Sequence, residues 1–430
     1  MRDLLITFIV FGAVPFILAR PYIGIYIWSW LSYMNPHRLS WGFAYNMPFA
    51  AVTASALFIG FFFTKEKNKF PVTPITVIWL CFILWLTLST FTAINVDVSI
   101  VEWKRVIKIQ LVALLTLVLI NNRVKLNQLI WVITMSIGFF GIKGGVFVAT
   151  TGGSFRVWGP PESFIGGNNE IALALLMVLP FMWYLRSESS NKWLRHALII
   201  AILLCVLSII SSYSRGAFLA AVVVMLTFWV KSKRKFIIGM ALAAVTAAVL
   251  GFMPAQYFNR IDTIESYQQD TSATGRINAW HFAFNLALDH PLTGGGFGTF
   301  TKELFLSYAP NPLAFHDAHS IYFEVLGEQG FIGLFLFLTL WILAYRSCGN
   351  IKKQVLNNDK LRWASNLVSM TQVCIVAYGV GGAFLGLAYF DLPYHILTIC
   401  VLCQLFVNRE LAKGENVEQG VPASSASQSA

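Results

Sequence analysis

Ala318-His319-Ser320-Ile321-Tyr322-Phe323-Glu324-Val325-Leu326-Gly327-Glu328-Gln329-Gly330-Phe331-Ile332-Gly333 joins the end of the longest polar segment of the chain to an apolar helix. A histidine therefore stands where a polar loop meets a membrane span, which makes His319 a candidate for chemistry. Outward from this stretch, apolar runs able to cross or nearly cross a bilayer lie at about 4–19, 22–33, 47–63, 75–94, 106–120 and 126–149. Further runs lie at about 171–185, 197–210, 217–230, 236–253, 331–345, 366–387 and 393–407. They predict an all-α polytopic membrane protein of about 12 transmembrane helices. Pro15 and Pro21 interrupt the first runs, so residues 4–33 are either two short helices or one kinked unit. Met1-Arg2-Asp3 leads into apolar sequence with no small-residue cleavage site, and reads as the start of a first membrane segment.

Composition agrees. With 57% hydrophobic and 12% charged residues and a mean hydropathy of +0.66, a soluble chain of this length is excluded. The 14 Trp, 14 Tyr and 36 Phe suit lipid-facing surfaces with aromatic belts. The six cysteines lie in or beside apolar runs, which argues against a disulfide framework; Cys400 and Cys403 read as small packing residues.

Basic residues cluster at Lys65/Lys67/Lys69, Arg123/Lys125, Arg186/Lys192/Arg195, Lys231/Lys233/Arg234/Lys235, Lys352/Lys353/Lys360/Arg362 and Arg409/Lys413, at every second connection. Those connections are expected to be cytoplasmic. The net charge of +11 is thereby a topology signal, and no nucleic-acid partner is expected. Segments 34–46, 95–105, 150–170, 211–216, 254–320 and 388–392 then face the opposite side. The expected layout is N-terminal helices over 1–253, a cap loop over 254–320, C-terminal helices over 321–413 and a disordered cytoplasmic tail over 414–430. Within the cap, Trp280 to Leu288 has a helix-like apolar pattern.

Several polar residues on the non-cytoplasmic side could act chemically. Arg215, in Ser211-Ser212-Tyr213-Ser214-Arg215-Gly216-Ala217, sits in a tight hairpin where the charge rule disfavours arginine. It could snorkel or pair with a carboxylate such as Glu170; anion binding is favoured because a guanidinium matches a phosphate bidentately. Arg276 opens the cap helix, whose N-terminus favours anions, and Arg156 is a third cation on this face. Asn168, Asn169 and Glu170 suit a capping cluster. Glycines 294–298 lack the strand and Lys-Ser/Thr of a phosphate loop and read as a tight turn. His316, Asp317 and His319 are too close in sequence for separate metal ligands, so no metal is expected, whereas a neutral histidine at a membrane edge suits a general base. The bland alternative is an interfacial histidine capping its helix. Gly327, Gly330 and Gly333 form a smooth stripe, for close packing first and a lipid-tail groove second. Glu324 and Glu328 share a face and are expected to meet Arg or Lys partners.

Taken in order, Ser214-Arg215-Gly216-Ala217, Thr274-Gly275-Arg276-Ile277-Asn278-Ala279-Trp280 with Asp289-His290-Pro291-Leu292-Thr293-Gly294-Gly295-Gly296, and His319-Ser320 with Gly330 and Gly333 resemble the C-terminal signature region of bacterial O-antigen ligases and polymerases over about 200–340. The last element resembles the ligase form, and Gly166-Gly167-Asn168-Asn169-Glu170-Ile171-Ala172 is similar to another family segment. Arg20-Pro21-Tyr22-Ile23-Gly24 and Trp28-Ser29-Trp30-Leu31-Ser32-Tyr33-Met34-Asn35-Pro36 resemble a subgroup described as O-glycosylation ligases.

The resemblance implies a fold similar to other polyprenyl-sugar glycosyltransferases, in the bacterial inner membrane with its active site facing the periplasm. It implies transfer of a whole glycan from undecaprenyl diphosphate to lipid A-core in lipopolysaccharide biosynthesis, inverting and metal-independent, with no cofactor. Carried onto this chain, His319 is the base and Arg215 and Arg276 hold the donor diphosphate; the residue reading adds Arg156, with Asn169, Glu170, His316, Asp317 and Ser320 as supporting residues. The alternatives are an O-antigen polymerase, a protein O-oligosaccharyltransferase or, in another class, a transporter of a lipid-linked anion, for which paired repeats with broken helices would be expected.

Overall fold

The computed structural model describes residues 1–153, 155–231, 236, 239–240 and 271–418, and all regular structure among them is helical. The N-terminal half runs α1 (Arg2–Ala19), α2 (Tyr22–Met34), α3 (Phe49–Phe63), α4 (Pro74–Phe91), α5 (Val96–Leu119) and α6 (Arg123–Thr151), then α7 (Asn168–Glu188), α8 (Lys192–Ile210) and α9 (Arg215–Lys231). After the cap come α10 (Thr271–Asp289), α11 (Lys302–Tyr308), α12 (Ile321–Gln354), α13 (Arg362–Gly381) and α14 (Asp391–Glu418).

Residues 4–33 resolve into two helices: Pro21 has no N–H to continue α1, and α2 starts at the next residue. Among the described residues, 8 helices are long and apolar enough to cross a membrane, with Phe49–Phe63 and Arg215–Thr227 as shorter apolar helices. The all-α membrane architecture stands; these eight are counted among the described residues alone, and the expected run at 236–253 lies almost wholly outside them. The run at 22–33 is only the 13-residue α2. The run at 106–120 covers the later part of α5, whose earlier part carries Asp97, Glu102, Lys104 and Arg105. Segment 95–105, expected as a connection, is therefore helical from Val96 onward, and the Asn95 side chain accepts from Val98 N–H to start it. The run at 236–253 and the first part of the cap, 254–270, lie almost wholly outside the described residues, as does 419–430; the expected tail begins inside α14, which continues to Glu418.

The most enclosed helix is α7, which packs against α6, α8, α9 and α13. Polar bonds buried in the bundle tie the ends of the chain together: Trp28 Nε1 and Ser32 Oγ of α2 donate to the two oxygens of Asp391 on α14 (3.1 and 2.8 Å), and Tyr33 Oη meets His395 Nδ1 at 2.6 Å. Each is a polar group satisfied away from water.

Helix α12 is broken at Gly330, whose φ of 68° and ψ of −170° lie outside the helical region. A break exposes helix carbonyls that must find donors. Gly295 N–H donates to Gly327 O (2.8 Å), Gly296 N–H to Glu328 O (2.9 Å) and Trp85 Nε1 to Gln329 O (3.0 Å), while Phe331 N–H reaches Pro291 O (2.9 Å). Glycines 294–296 are thus a plug for a helix end. A Cβ on Gly330 would lie 2.3 Å from Leu292 O, and one on Gly327 3.3 Å from Ala283. The stripe of glycines faces protein, so its packing role holds and the lipid-groove reading of these residues does not.

Candidate functional site

His319 is built from both sides. It precedes Ser320, the buried N-cap of α12, and its φ of 39° puts a non-glycine residue in the left-handed region. Such a conformation costs energy and persists only where its surroundings impose it. The cap helix does so: Trp280 Nε1 donates to Ala318 O at 2.8 Å, and its indole stacks on Phe323 with ring centres 5.0 Å apart and planes 8° apart. Asn278, buried on the same helix, donates to Asn311 O (2.9 Å) and Ala314 O (3.0 Å) and accepts from Asn311 N–H (2.9 Å), fixing the approach of the loop to His319.

The His316 ring meets the His319 ring edge-on at 4.9 Å, and Gly275 leaves it room, since a Cβ there would lie 2.7 Å from His316 Cδ2. Burial pushes the His319 imidazole down to about 4; His316 and Arg276 push in the same direction and Asp317 opposes them. His319 is consequently neutral at neutral pH, as a proton acceptor must be.

A cavity of about 480 Å³ opens beside it, with His319, Asp317, Glu170, Glu324 and Glu328 on its walls and Phe164, Phe300, Gly298 and Gly386 completing them. Arg276 is close enough to influence both His319 and Glu170 electrostatically. The structure therefore brings together His319, Asp317, Glu170 and Arg276, with His316 against the histidine.

Arg215 and Arg156 occupy a neighbouring shelf instead of this cavity. Arg215 is the first residue of α9, where the Ser214 hydroxyl accepts from Ala217 N–H at 3.1 Å. Ser211 holds the Arg156 segment to this hairpin, donating from Oγ to Phe155 O (3.0 Å) and accepting from Val157 N–H (3.3 Å). Asn168 bridges shelf and cavity: its side chain donates to Ser212 O at 2.7 Å, two residues before Glu170 on the cavity wall. The N-cap of α7 is Gly167 with no side-chain cap bond, so Asn168 joins two loops rather than capping its helix. Asn169 is half-buried and Ser320 buried; neither lines the cavity. Among the described residues, no group of three or more His, Cys, Asp or Glu is arranged to hold a metal ion.

Glu324 and Glu328 were expected to meet Arg or Lys. Backbone amides take that place: Ala388 N–H donates to Glu324 Oε2 (3.1 Å) and Gly298 N–H to Glu328 Oε1 (2.9 Å). The walls Ser163, Phe164, Phe300 and Gly386 had no signal in the sequence, because each is an ordinary loop residue until α7, α12 and the turn after α13 converge.

The segment 200–338 matches a family model described as O-antigen ligase, and residues 1–190 match a family of unknown function. No curated protein matches the chain.

Proposed function

We propose, from the match of segment 200–338 to the O-antigen ligase model, that this chain transfers a whole glycan from undecaprenyl diphosphate to lipid A-core at the periplasmic face of the inner membrane. The acceptor hydroxyl gives its proton to His319, and its oxygen attacks the anomeric carbon from the face opposite the diphosphate. The bond from that carbon to the diphosphate oxygen breaks, and the electron pair leaves on the phosphate. Arg276, Arg215 and Arg156 stabilise the charge that gathers there, a role that needs cations placed in advance and no metal. Glu170 and Asp317 sit on the cavity wall; His316, Asn169 and Ser320 support the loops around it.

The observation that carries this reading is His319 itself: a neutral imidazole held in a strained conformation on a cavity wall, next to Arg276. The test is reconstitution with lipid-linked glycan and three acceptors: lipid A-core, a protein and a second lipid-linked glycan. A product on lipid A-core is expected. A product on one of the others makes the enzyme a protein transferase or a polymerase, and no covalent product with any of them returns the chain to the transporter class. His319→Ala should slow transfer by about 10²–10⁴-fold, and an unchanged rate removes the base. Full activity in EDTA is expected, and loss restored by a divalent cation overturns the metal-free step.

A further inference from the structure

The carboxyls of Glu324 and Glu328 play no part in the steps above, yet they are among the best-placed polar groups of the cavity. They stand one helical turn apart on the same face of α12. One oxygen of each is fixed by a backbone N–H, which sets the orientation of the carboxyl and leaves the second oxygen for a ligand. Glu328 is 7% exposed, and its Oε2 is buried with no hydrogen-bond partner. The buried hydroxyl of Tyr389 lies beside that carboxyl, close enough to interact with it. A buried acceptor left open is costly, and where its residue lines a cavity it is an acceptor for whatever fills that cavity.

The walls limit what that is. Phe164 and Phe300 present aromatic rings, and the Arg105 guanidinium, 3.9 Å from the centre of the Phe164 ring, holds that ring in place. A cavity of about 480 Å³ with a few convergent polar groups among apolar walls has the size and character of a small-molecule site. Open carboxyl oxygens beside aromatic rings fit one chemistry: a pyranose, whose hydroxyls donate to the carboxyls while its C–H faces lie on the rings. We propose that Glu324 and Glu328, with Phe164 and Phe300, form a sugar subsite beside His319 that positions the ring nearest the reacting bond. This rests on the glycosyl-transfer reading. The sugar belongs to the donor or to the acceptor, which share this chemistry.

The test is steady-state kinetics of the full-length reconstituted protein, varying donor and acceptor separately, for the wild type, Glu324→Gln and Glu328→Gln. Each amide keeps the shape and the oxygen that takes the backbone N–H, and replaces the second acceptor oxygen with an NH2 donor. The expected result for Glu328→Gln is a rise of about ten-fold in the KM of one substrate, with kcat changed much less and the thermal unfolding temperature unchanged. The substrate whose KM moves identifies the source of the sugar. Unchanged KM values for both substrates in both variants overturn the subsite, as does a fall in kcat that tracks a fall in unfolding temperature, which is the mark of a structural role. Activity lost on chelation and restored by a divalent cation, with a raised cation requirement in the variants, assigns the pair to a metal instead. A wild type that joins glycan to no acceptor removes the transfer reading and the subsite with it; an active wild type with unaltered variants removes the subsite alone.

Discussion

At the scale of single residues, the environment of His319 makes a statement about pH. Burial is the first cause of its depressed affinity for protons, which brings it to about 4. The folded state then binds fewer protons than the unfolded chain between about 4 and the ordinary histidine value near 6.5, so this group's contribution to stability is full above that window and lost as pH falls through it. In the proposed reaction a bound diphosphate would add negative charge and raise the affinity again. The acid limb of kcat/KM, governed by the free enzyme, should therefore lie below the ordinary histidine range, and the acid limb of kcat at higher pH. Coincident limbs in a pH–rate profile would count against His319 as the base. Gly330 makes a second prediction: Gly330→Ala must place a Cβ 2.3 Å from Leu292 O at a φ of 68°, and should destabilise the protein by roughly 1–3 kcal/mol, read as a lowered unfolding temperature in detergent. The candidacy of His319 was legible in its place at the edge of an apolar run. Its left-handed backbone was not, because that is imposed by Trp280, 39 positions upstream.

Among the elements, α10 and the first part of α12 hold the candidate site between them. The apolar period from Trp280 to Leu288 was enough to expect a helix, and α10 is that helix. The break in α12 escaped sequence reading for a physical reason: its carbonyls are satisfied by Gly295, Gly296 and Trp85, so nothing next to Gly330 in the chain announces it. The same limit applies to α5, where charges that read as a connection belong to a capped helix and include the Glu102–Arg105 pair at 3.8 Å. The coupling of α10 to the site can be measured. Trp280→Phe keeps a ring for Phe323 and removes the bond to Ala318 O, so kcat should fall by about ten-fold while circular dichroism stays unchanged. An unaltered kcat would show that α10 does not position His319.

For the molecule as a whole, hydropathy was sufficient for the class, since apolar runs report what must leave water. The bounds of its helices are less legible in hydropathy: the run at 22–33 is the 13-residue α2, and the run at 106–120 is only part of α5, which starts at Val96. Nor could hydropathy assemble the cavity, whose walls come from near residues 163–170, 298–300, 317–328 and 386. The basic clusters set an expected orientation that labelling can check. In a background without the native cysteines, Trp41→Cys and Leu313→Cys, at positions 91% and 90% exposed, should react with an impermeant maleimide in intact cells, and Leu356→Cys, 73% exposed, only after permeabilisation. The reverse pattern would put His319 on the cytoplasmic face. The bonds from Trp28, Ser32 and Tyr33 to Asp391 and His395 carry one more consequence. The N-terminal region that matches a family of unknown function cannot be exchanged as a cassette: a graft that brings its own α2 without matching partners on α14 strands a buried carboxyl and a buried imidazole. Modular shuffling of the two ends is therefore closed to this chain, and they can only be inherited together.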